Sequence, residues 1–261
     1  MDARHLNRAA WDKQVEDGNP WTLPVESETI VNARRGEWQV FLTPTKPVPA
    51  AWLSVVKGKK ILCLASGGGQ QGPILAAAGA QVTVFDNSPR QLQQDEMVAR
   101  RDGLVIETVE GTMKDLSVFE DGRFDTIVHP VSNCFVDDVL PVWKEAFRVL
   151  RPGGALLSGF NNPDIYLFDL ETSAATGKLE AKYSLPYSDL AEMDQRTKMD
   201  HMQQGTPFEF SHTLEMLIGG QILAGFVLTG FYEDHDKQGD KALINRHMRP
   251  YLATKAVKPA G

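Results

Sequence analysis

Three consecutive glycines, Gly67 to Gly69, stand between two apolar runs of this 261-residue sequence, and a carboxylate, Asp86, ends the second run. The order of apolar run, glycines, helix-compatible segment and second run predicts a strand, a loop, a helix and a strand. Glycines allow the backbone to approach a ligand closely at a helix N-terminus. A carboxylate at the end of the second strand can accept hydrogen bonds from two ribose hydroxyls. The sequence therefore predicts a site for a cofactor that contains adenosine.

The glycine spacing leaves the identity of that cofactor open. Gly67, Gly69 and Gly72 satisfy the G-x-G-x-x-G pattern, and Asp86 follows Gly67 by 19 residues, which suits a dinucleotide site. By itself the pattern favours NAD about as much as S-adenosylmethionine. Two simpler roles also remain, a tight turn for the glycines and an N-cap for Asp86 ahead of a helix that starts near Pro89.

Composition narrows the class of protein. A net charge of −7 and a pI near 5.4 argue against general binding of nucleic acid, which requires a basic surface for the phosphates. Two cysteines without metal-ligand spacing favour a reducing compartment. The charged N-terminus lacks the apolar segment of a secretory signal, and no apolar stretch is long enough to span a bilayer. We therefore expect a cytoplasmic protein with no membrane or nucleic-acid partner.

Strands and helices alternate along most of the chain. Strands are predicted at 60–65, 81–86, 104–108, 124–129, 154–160, 226–232 and 250–257, and helices at 4–16, 72–79, 88–101, 138–150 and 212–224. Such alternation predicts a mostly parallel sheet that is covered on both faces. The last two strands are joined by a connection with little room for a crossover helix, which favours an antiparallel pair.

Two segments interrupt this repeat. Residues 1–50 are interpreted as an N-terminal helix and a loop-rich lid, ahead of a main domain at 51–261. A polar insertion at about 161–211 is interpreted as a cap. Within it, apolar residues alternate with polar ones from Leu179 to Leu185, which predicts a half-buried strand.

A second signature follows in residues 124–160. Phe124-Asp125 opens a strand, the run from Arg148 to Gly154 reads RVLRPGG, and Ala155–Phe160 forms the next strand. Pro-Gly-Gly also has a local reason, because it ends a helix and turns the chain. This run resembles the second half of the core of the class I S-adenosylmethionine-dependent methyltransferases, of the small-molecule type. The resemblance extends over about residues 50–165.

The resemblance implies a fold, a cofactor and an activity. The expected fold is α/β, a Rossmann-like, doubly wound, mostly parallel seven-stranded sheet with an antiparallel last strand. The expected cofactor is S-adenosyl-L-methionine, and the expected reaction is in-line transfer of its methyl group to a small-molecule acceptor. An NAD(P)-dependent oxidoreductase is the alternative enzyme, but it gives no reason for the RVLRPGG run. A SAM-binding protein without transferase activity is the non-enzyme alternative.

The resemblance also implies which residues bind the cofactor. The loop from Ala65 to Gly69 would surround the methionine part, Asp86 the ribose and the residues after the third strand the adenine. The expected cofactor-binding residues are Ala65, Ser66, Gly67, Gly69, Asp86, Asn87, Thr112, Met113 and His129. Three positions depart from the family pattern: Cys63 and Thr112 replace acidic residues, and Ala65 replaces the first glycine.

Candidates for chemistry on the acceptor follow the fourth strand and the insertion. His129 is the expected catalytic residue, as a base on the acceptor, although a histidine hydrogen-bonded at a strand end is an equal alternative. Ser132 and Asn133 either orient a substrate or form a turn. Cys134 lacks a paired base and is expected to be a bystander.

Three further groups have both a functional and a structural interpretation. Glu209 and His212 either face the acceptor or belong to a helix start. Trp11 and Trp21 either close over the cofactor or pack against the body. The acidic run Glu233–Asp236 is expected to be a solvated loop, because consecutive residues cannot all turn toward one ion, so no metal is expected.

We expect the acceptor to lie between the loop at 129–135 and the insertion at 161–211. Aromatic and methionine side chains in the insertion suggest a partly apolar molecule. A lipid or quinone acceptor is less favoured, because no basic amphipathic helix is present. The sequence leaves the acceptor itself, the atom methylated and the oligomeric state open.

Overall fold

A seven-stranded sheet in the order β3-β2-β1-β4-β5-β7-β6 forms the centre of the computed structural model, which describes residues 2–238 and 242–260. The strands are β1 (Lys60–Leu64), β2 (Gln81–Asp86), β3 (Ile106–Glu110), β4 (Phe124–His129), β5 (Leu150–Asn161), β6 (Val227–Asp234) and β7 (Tyr251–Val257). The first five are parallel, whereas β7 is antiparallel to both β5 and β6. The expected fold and the antiparallel last pair are confirmed.

Helices cover both faces of this sheet. They are α1 (Ala3–Glu16), α2 (Ser27–Arg34), α3 (Gln71–Ala77), α4 (Pro89–Asp102), α5 (Leu140–Val149), α6 (Leu170–Thr176), α7 (Asp189–Glu192), α8 (Gln195–Gln204) and α9 (Gly220–Leu223). Because both faces are covered, β1 reads as a continuous apolar run, fully buried from Ile61 to Leu64, as expected for a central parallel strand. One core layer centres on Trp143 of α5 and the other on Leu75 of α3.

The N-terminal segment contains more helix than its sequence indicates. The predicted helix at 4–16 is confirmed as α1, but the loop-rich stretch after it includes α2, which buries Ile30 and Ala33 at helical spacing. The edge strand β6 holds the end of this stretch against the sheet. Asp234, buried at the end of β6, accepts backbone hydrogen bonds from Thr45 at 2.8 Å and Lys46 at 2.9 Å. The expectation of a solvated acidic loop was therefore wrong for Asp234.

The insertion differs from its prediction. Residues 161–211 contain α6, α7 and α8, and the strand predicted at Leu179–Leu185 is absent; Ala181 makes one isolated bridge to Phe168. Alternation was misleading here because the apolar side chains of this stretch pack locally, as when Tyr183 contacts Tyr187 at a ring-centroid distance of 5.0 Å. The predicted helix at 212–224 is split into a π-helical turn, Glu215–Gly219, and α9.

The strand β5 begins earlier than predicted. Leu150 already pairs with Phe124, and the register then shifts before Thr126 pairs with Ala155. The turn expected at Pro152-Gly153-Gly154 is thus a bulge inside a strand, with Gly153 at a φ of +76°. In the sheet, β1 lies between β2 and β4, so the direction in which successive strands are added reverses between β1 and β4. Parallel sheets bind ligands beyond the carboxyl ends of their strands at such a reversal.

Candidate active site

One cavity of about 690 Å³ lies at the carboxyl ends of β1, β2, β3 and β4. It is lined by the loops that follow these strands, by the N-terminal segment and by the insertion. This volume lies in the range of pockets that bind small molecules and cofactors. Of the residues expected to bind the cofactor, those that line it are Ala65, Ser66, Gly67, Asp86, Asn87, Thr112 and Met113.

The glycine loop is held against α4 and β2. The Gly67 amide donates a hydrogen bond to Asp86 Oδ2 at 3.0 Å, and a Cβ atom on Gly67 would lie 2.7 Å from the Cβ of Gln91. Only glycine fits there without displacing α4. Ala65 has a φ of +47°, a left-handed conformation that costs an alanine about 1 kcal/mol or more relative to glycine. Alanine in place of the first glycine therefore leaves backbone strain in the loop.

Asp86 has the geometry expected of a ribose-binding carboxylate at the end of β2. Its Oδ1 accepts the Ser88 amide at 2.9 Å, and its side chain borders the cavity. Burial raises the pKa of Asp86, and the amides of Ser88, Gly67 and Asn87 act in the opposite direction. The N-cap of α4 is Ser88, whose Oγ accepts the Gln91 amide at 3.1 Å. The capping role considered for Asp86 thus belongs to its neighbour.

Residues at the ends of β2 and β3 join the N-terminal helix to the sheet. Asn87 donates to the Arg4 carbonyl at 2.9 Å and accepts from Arg4 Nε at 3.3 Å. Glu110 at the end of β3 pairs with Arg8 at 3.0 Å, and Thr112 and Met113 follow directly along the cavity wall. The helix α1 therefore closes one side of the cavity.

Two of the expected site residues lie outside the cavity lining. Gly69, with a φ of +73°, faces Pro24 and α4. His129 is fully buried, and its Nδ1 donates to the Leu64 carbonyl at 2.9 Å. Burial lowers the pKa of His129 to about 4, and its ring lies edge-on to Trp143. The geometry therefore fits the structural alternative for His129, a hydrogen-bonded histidine at a strand end, rather than the expected base or cofactor contact.

The loop after β4 shapes the centre of the cavity. Ser132 lines it and donates to the Pro130 carbonyl at 2.8 Å. Asn133 lies behind it and donates to the Gly159 carbonyl at 3.0 Å. His212 also lies outside the cavity lining, and its Nε2 atom is 3.0 Å from the carbonyl oxygen of Asn133. Asn133 and His212 thus hold the loop in place, whereas Ser132 is accessible from the cavity.

A buried polar cluster lies at the part of the cavity that Glu209 lines. Glu209 lines the cavity, and its Oε2 accepts the Tyr166 hydroxyl at 2.5 Å. Tyr166 in turn accepts Asn161 Nδ2 at 2.7 Å. Burial raises the pKa of Glu209 and that of Tyr166. Cys134 lies beside them, and burial together with Glu209 raises the pKa of its thiol, so the thiol is neutral.

Two of the three tryptophans of the N-terminal segment, Trp11 and Trp21, line the cavity. Trp11 contacts Phe135 edge-on at 5.1 Å between ring centroids. Trp21 is 47% exposed, and Lys237 Nζ lies 3.7 Å from the centroid of its ring. The cavity therefore has aromatic side chains at its mouth as well as in its wall.

Sequence patterns did not reveal several residues of the cavity. Asn7 of α1 is 3% exposed and donates to the carbonyls of Phe135 and Phe208, both at 2.9 Å. Gln91 borders the cavity with a buried side-chain oxygen that has no hydrogen-bond partner within the described parts of the chain. A polar residue on the apolar face of α4 was the available signal for Gln91. Asn7 offered no comparable signal.

Neither a metal cluster nor a membrane helix is found in the described ranges. Within 2–238 and 242–260, no group of three or more His, Cys, Asp or Glu side chains is arranged to hold a metal ion. Over the same residues, no helix combines the length and the apolar character needed to cross a membrane.

The chain is similar to known methyltransferases in sequence. Residues 62–158 match the family described as "Methyltransferase domain". A Bacillus subtilis (strain 168) protein named "Uncharacterized methyltransferase YbaJ" is 54% identical over 252 residues, which cover 97% of each chain. A botryococcene C-methyltransferase of Botryococcus braunii is 33% identical over a shorter region, 40% of this chain and 28% of that protein.

Solved structures agree in fold. An S-adenosylmethionine-dependent methyltransferase from Mesorhizobium loti superposes with a TM-score of 0.60 at 20% identity, covering 79% of this chain and 94% of that one. A SAM-dependent methyltransferase from Methanosarcina mazei gives a TM-score of 0.56 at 21% identity, with coverages of 82% and 99%. At these identities the likeness concerns the fold.

The sheet order, the glycine loop and the carboxylate of β2 define a nucleotide-cofactor enzyme of the Rossmann-like class. The close full-length relative then fixes the family: the chain belongs to the class I S-adenosylmethionine-dependent methyltransferases. Its cofactor is S-adenosylmethionine, and the nicotinamide alternative is set aside.

The cavity residues suit this cofactor. The Asp86 carboxylate lines the cavity and can accept hydrogen bonds from a vicinal diol, and Gln91 lines the cavity as well. Glycine at position 67 lets the loop pack against Gln91 of α4, and the backbone of this loop lines the cavity. These donor and acceptor types match the ribose and the amino-acid part of the cofactor.

Proposed function

We propose that this enzyme methylates a partly apolar small molecule that binds in the half of the cavity away from Asp86. The observation that carries this proposal is the extent of the cavity, which is continuous from Asp86 to Glu209. Methyl transfer requires the donor and the acceptor to meet in one water-poor space. A single continuous cavity that is lined by Asp86 at one end and by Glu209 at the other supports such a meeting.

In the cofactor half, the proposed roles follow the geometry. Asp86 accepts the ribose hydroxyls, the backbone from Ala65 to Gly67 borders the methionine part, and Thr112 with Met113 borders the adenine. Gln91 is proposed as a further contact. When bound, S-adenosylmethionine supplies a methyl group on a positively charged sulfur.

The N-terminal residues 1–50 are proposed as a cover for the cofactor, and residues 161–211 as the cap over the acceptor. Both proposals rest on side chains that line the cavity, Trp11 and Trp21 from the first segment and Ile165 and Glu209 from the second. A cover excludes water and orients the two reactants, which is the main contribution a protein makes to a direct group transfer.

The acceptor half combines apolar walls with one carboxylate. Phe41, Phe135 and Ile165 contribute apolar surface, and Glu209 contributes the charge. The Tyr166 hydroxyl hydrogen is directed to Glu209 Oε2, whereas Oε1 accepts no hydrogen bond from the described residues. We propose that Oε1 receives the proton that an O–H or N–H nucleophile loses on methylation. Burial favours this role, because the raised pKa of Glu209 makes it a stronger base than an exposed carboxylate.

A small molecule is favoured over nucleic acid as the acceptor. The net charge of −7 opposes the approach of a polyanion, and the N-terminal segment narrows the mouth of the cavity. We also propose a cytoplasmic setting, because Cys63 and Cys134 are both free thiols, as is usual in a reducing compartment.

Calorimetric titration with S-adenosylmethionine, S-adenosylhomocysteine and NAD tests the cofactor half. We expect binding of the first two in the micromolar range and none of NAD. Incubation of the enzyme with methyl-labelled cofactor and a cell extract tests the acceptor half, with label expected in the small-molecule fraction. Label found instead in the nucleic-acid or protein fraction would contradict the proposed acceptor class.

A further inference from the structure

A carboxyl group lies beneath the glycine loop, outside the cavity. Asp95 is on the inner face of α4 and is not exposed at all. Its Oδ2 accepts the Gly69 amide at 3.1 Å, and the Gly68 amide also faces it. Gly68 and Gly69 both have left-handed backbone conformations, with φ of +106° and +73°. Asp95 is thus bonded to the part of the loop whose conformation is most unusual.

The surroundings of Asp95 are otherwise unfavourable for a carboxyl group. No ion pair to it is found within the described residues, and its Oδ1 has no hydrogen-bond partner there. An unpaired polar group in a core costs free energy. A side chain of this kind at a buried position on α4 therefore calls for a compensating role, and the loop amides are the groups that it contacts.

The strand below the loop contains no carboxylate that could replace it. Cys63 of β1 lies close to Asp95, and the pKa of its thiol is raised by burial and by the Asp95 charge. A neutral thiol is a poor hydrogen-bond acceptor. The acceptor for the loop amides therefore comes from the helix α4 and not from β1.

The glycine loop in turn determines the shape of the cavity where we propose that the cofactor binds. Gly67, two residues before Gly69, donates to Asp86, and the Gly68 amide donates to the Gln91 carbonyl at 3.0 Å. Any relaxation of Gly68 and Gly69 displaces Gly67 from Asp86 and from Gln91. The relative positions of Gly67, Asp86 and Gln91 in the cavity wall thus depend on the hydrogen bond from Gly69 to Asp95, which lies outside the cavity.

We propose that Asp95 is a positioning residue for the cofactor, holding the Gly67–Gly69 turn in its binding conformation through the Gly69 amide. This rests on the proposed location of the cofactor. Asp95 itself touches neither the cofactor nor the acceptor. Its effect is on cofactor affinity, through the loop.

A pair of substitutions of similar size separates this role from a structural one. Asp95→Asn keeps a side-chain oxygen that accepts from Gly69, whereas Asp95→Leu fills the same space without an acceptor. Val98→Ala, on the buried face of the same helix one turn later, is the control for altered packing. Affinity for S-adenosylhomocysteine is measured by calorimetry, and thermal stability and exchange of the Gly69 amide hydrogen are measured on the same proteins.

We expect Asp95→Leu to weaken binding of S-adenosylhomocysteine by about tenfold or more, the effect of one lost hydrogen bond to an ordered loop. The amide hydrogen of Gly69 should exchange faster in this variant than in wild type. Its melting temperature should be no lower than that of wild type, because the substitution removes a buried carboxyl group. Asp95→Asn should bind within about threefold of wild type, and Val98→Ala within about twofold, on the same affinity scale.

Equal affinities of Asp95→Leu and Val98→Ala would overturn the inference, as would equal losses in Asp95→Leu and Asp95→Asn. A wild-type protein that binds no S-adenosylhomocysteine would instead contradict the proposed cofactor site, and the role of Asp95 with it. The two failures are distinguished by the wild-type and Val98→Ala titrations.

Discussion

Replacing Asn7 by alanine is expected to release the N-terminal helix from the body of the enzyme. The buried Asn7 side chain makes three hydrogen bonds: its amide group donates to the carbonyls of Phe135 and Phe208 at 2.9 Å, and its Oδ1 accepts the Phe208 amide at 2.7 Å. In Asn7→Ala all three backbone groups lose their partner. At about 1 kcal/mol per bond, the substitution lowers the free energy of docking of α1 by about 3 kcal/mol.

Native-state proteolysis measures this docking directly. Three kcal/mol corresponds to a change of about a hundredfold in the population of the undocked state, and cleavage after α1 should accelerate by a similar factor when opening precedes cleavage. S-adenosylhomocysteine should restore protection, because Asn7 and Trp11 of α1 line the cavity in which we propose that it binds.

Arg90→Ala is the matched control for Asn7→Ala. Arg90 likewise holds α1 to the body of the enzyme, because it pairs α4 with Glu16 of α1 at 2.8 Å, but the two side chains are 50% and 52% exposed. An exposed ion pair contributes less than about 1 kcal/mol, so the rate of cleavage should change by only a few fold. Equal cleavage rates in Asn7→Ala and Arg90→Ala would refute the argument that buried amide bonds dock the helix.

Four further outcomes are expected. Asp86→Ala should weaken binding of S-adenosylmethionine by at least about tenfold in calorimetry; unchanged affinity would place the ribose elsewhere. Glu209→Gln should bind S-adenosylhomocysteine within about twofold of wild type yet transfer label to the acceptor far more slowly, with a rate that no longer depends on deprotonation of this group. His129→Ala should lower the melting temperature and leave turnover of the folded enzyme unchanged, and a selective loss of turnover would restore its catalytic role. Burial raises the pKa of Asp95 to about 8, so in the folded state this carboxyl group keeps a proton that it releases above about pH 4 in the unfolded chain. The free energy of unfolding should therefore decrease between about pH 4 and pH 8, by up to about 5 kcal/mol, and urea titrations should show a much smaller decrease in Asp95→Asn; parallel curves would contradict the buried ionisation.

The residues that line the proposed cofactor end of the cavity were predictable because the geometry there is local. The loop from Ala65 to Gly69 follows β1, Asp86 is the last residue of β2, and Thr112 and Met113 lie just after β3. In a parallel sheet the carboxyl ends of neighbouring strands meet at one edge. Once the strands were identified, the positions of these residues followed from chain order. His129 also follows a strand, but strand alternation aims its side chain into the core beside Trp143, away from the cavity.

The insertion and the N-terminal segment were predicted less well because their structure depends on contacts between distant residues. α2 is eight residues long and gains its stability from the burial of Ile30 and Ala33 against the body, since isolated helices of this length are unstable. The alternation from Leu179 to Leu185 indicated a strand, but no neighbouring strand is available there to complete the hydrogen bonds. Periodicity reports which side chains are buried and not which backbone groups are paired.

The two halves of the cavity therefore depend on different kinds of information. Asp86 and Gly67 are 19 residues apart and connected by one hydrogen bond, so a short motif contains most of what is needed to build the cofactor site. Glu209 reaches the cavity only because the Phe210 amide bonds to the Cys134 carbonyl and because Asn7 bonds to Phe208, contacts that span 76 and 201 residues. A change at Asn7 is thus expected to alter both ends of the cavity, through the cover on one side and through the position of Glu209 on the other. Acceptor specificity can diverge through such contacts while the glycine loop and its carboxylate stay the same.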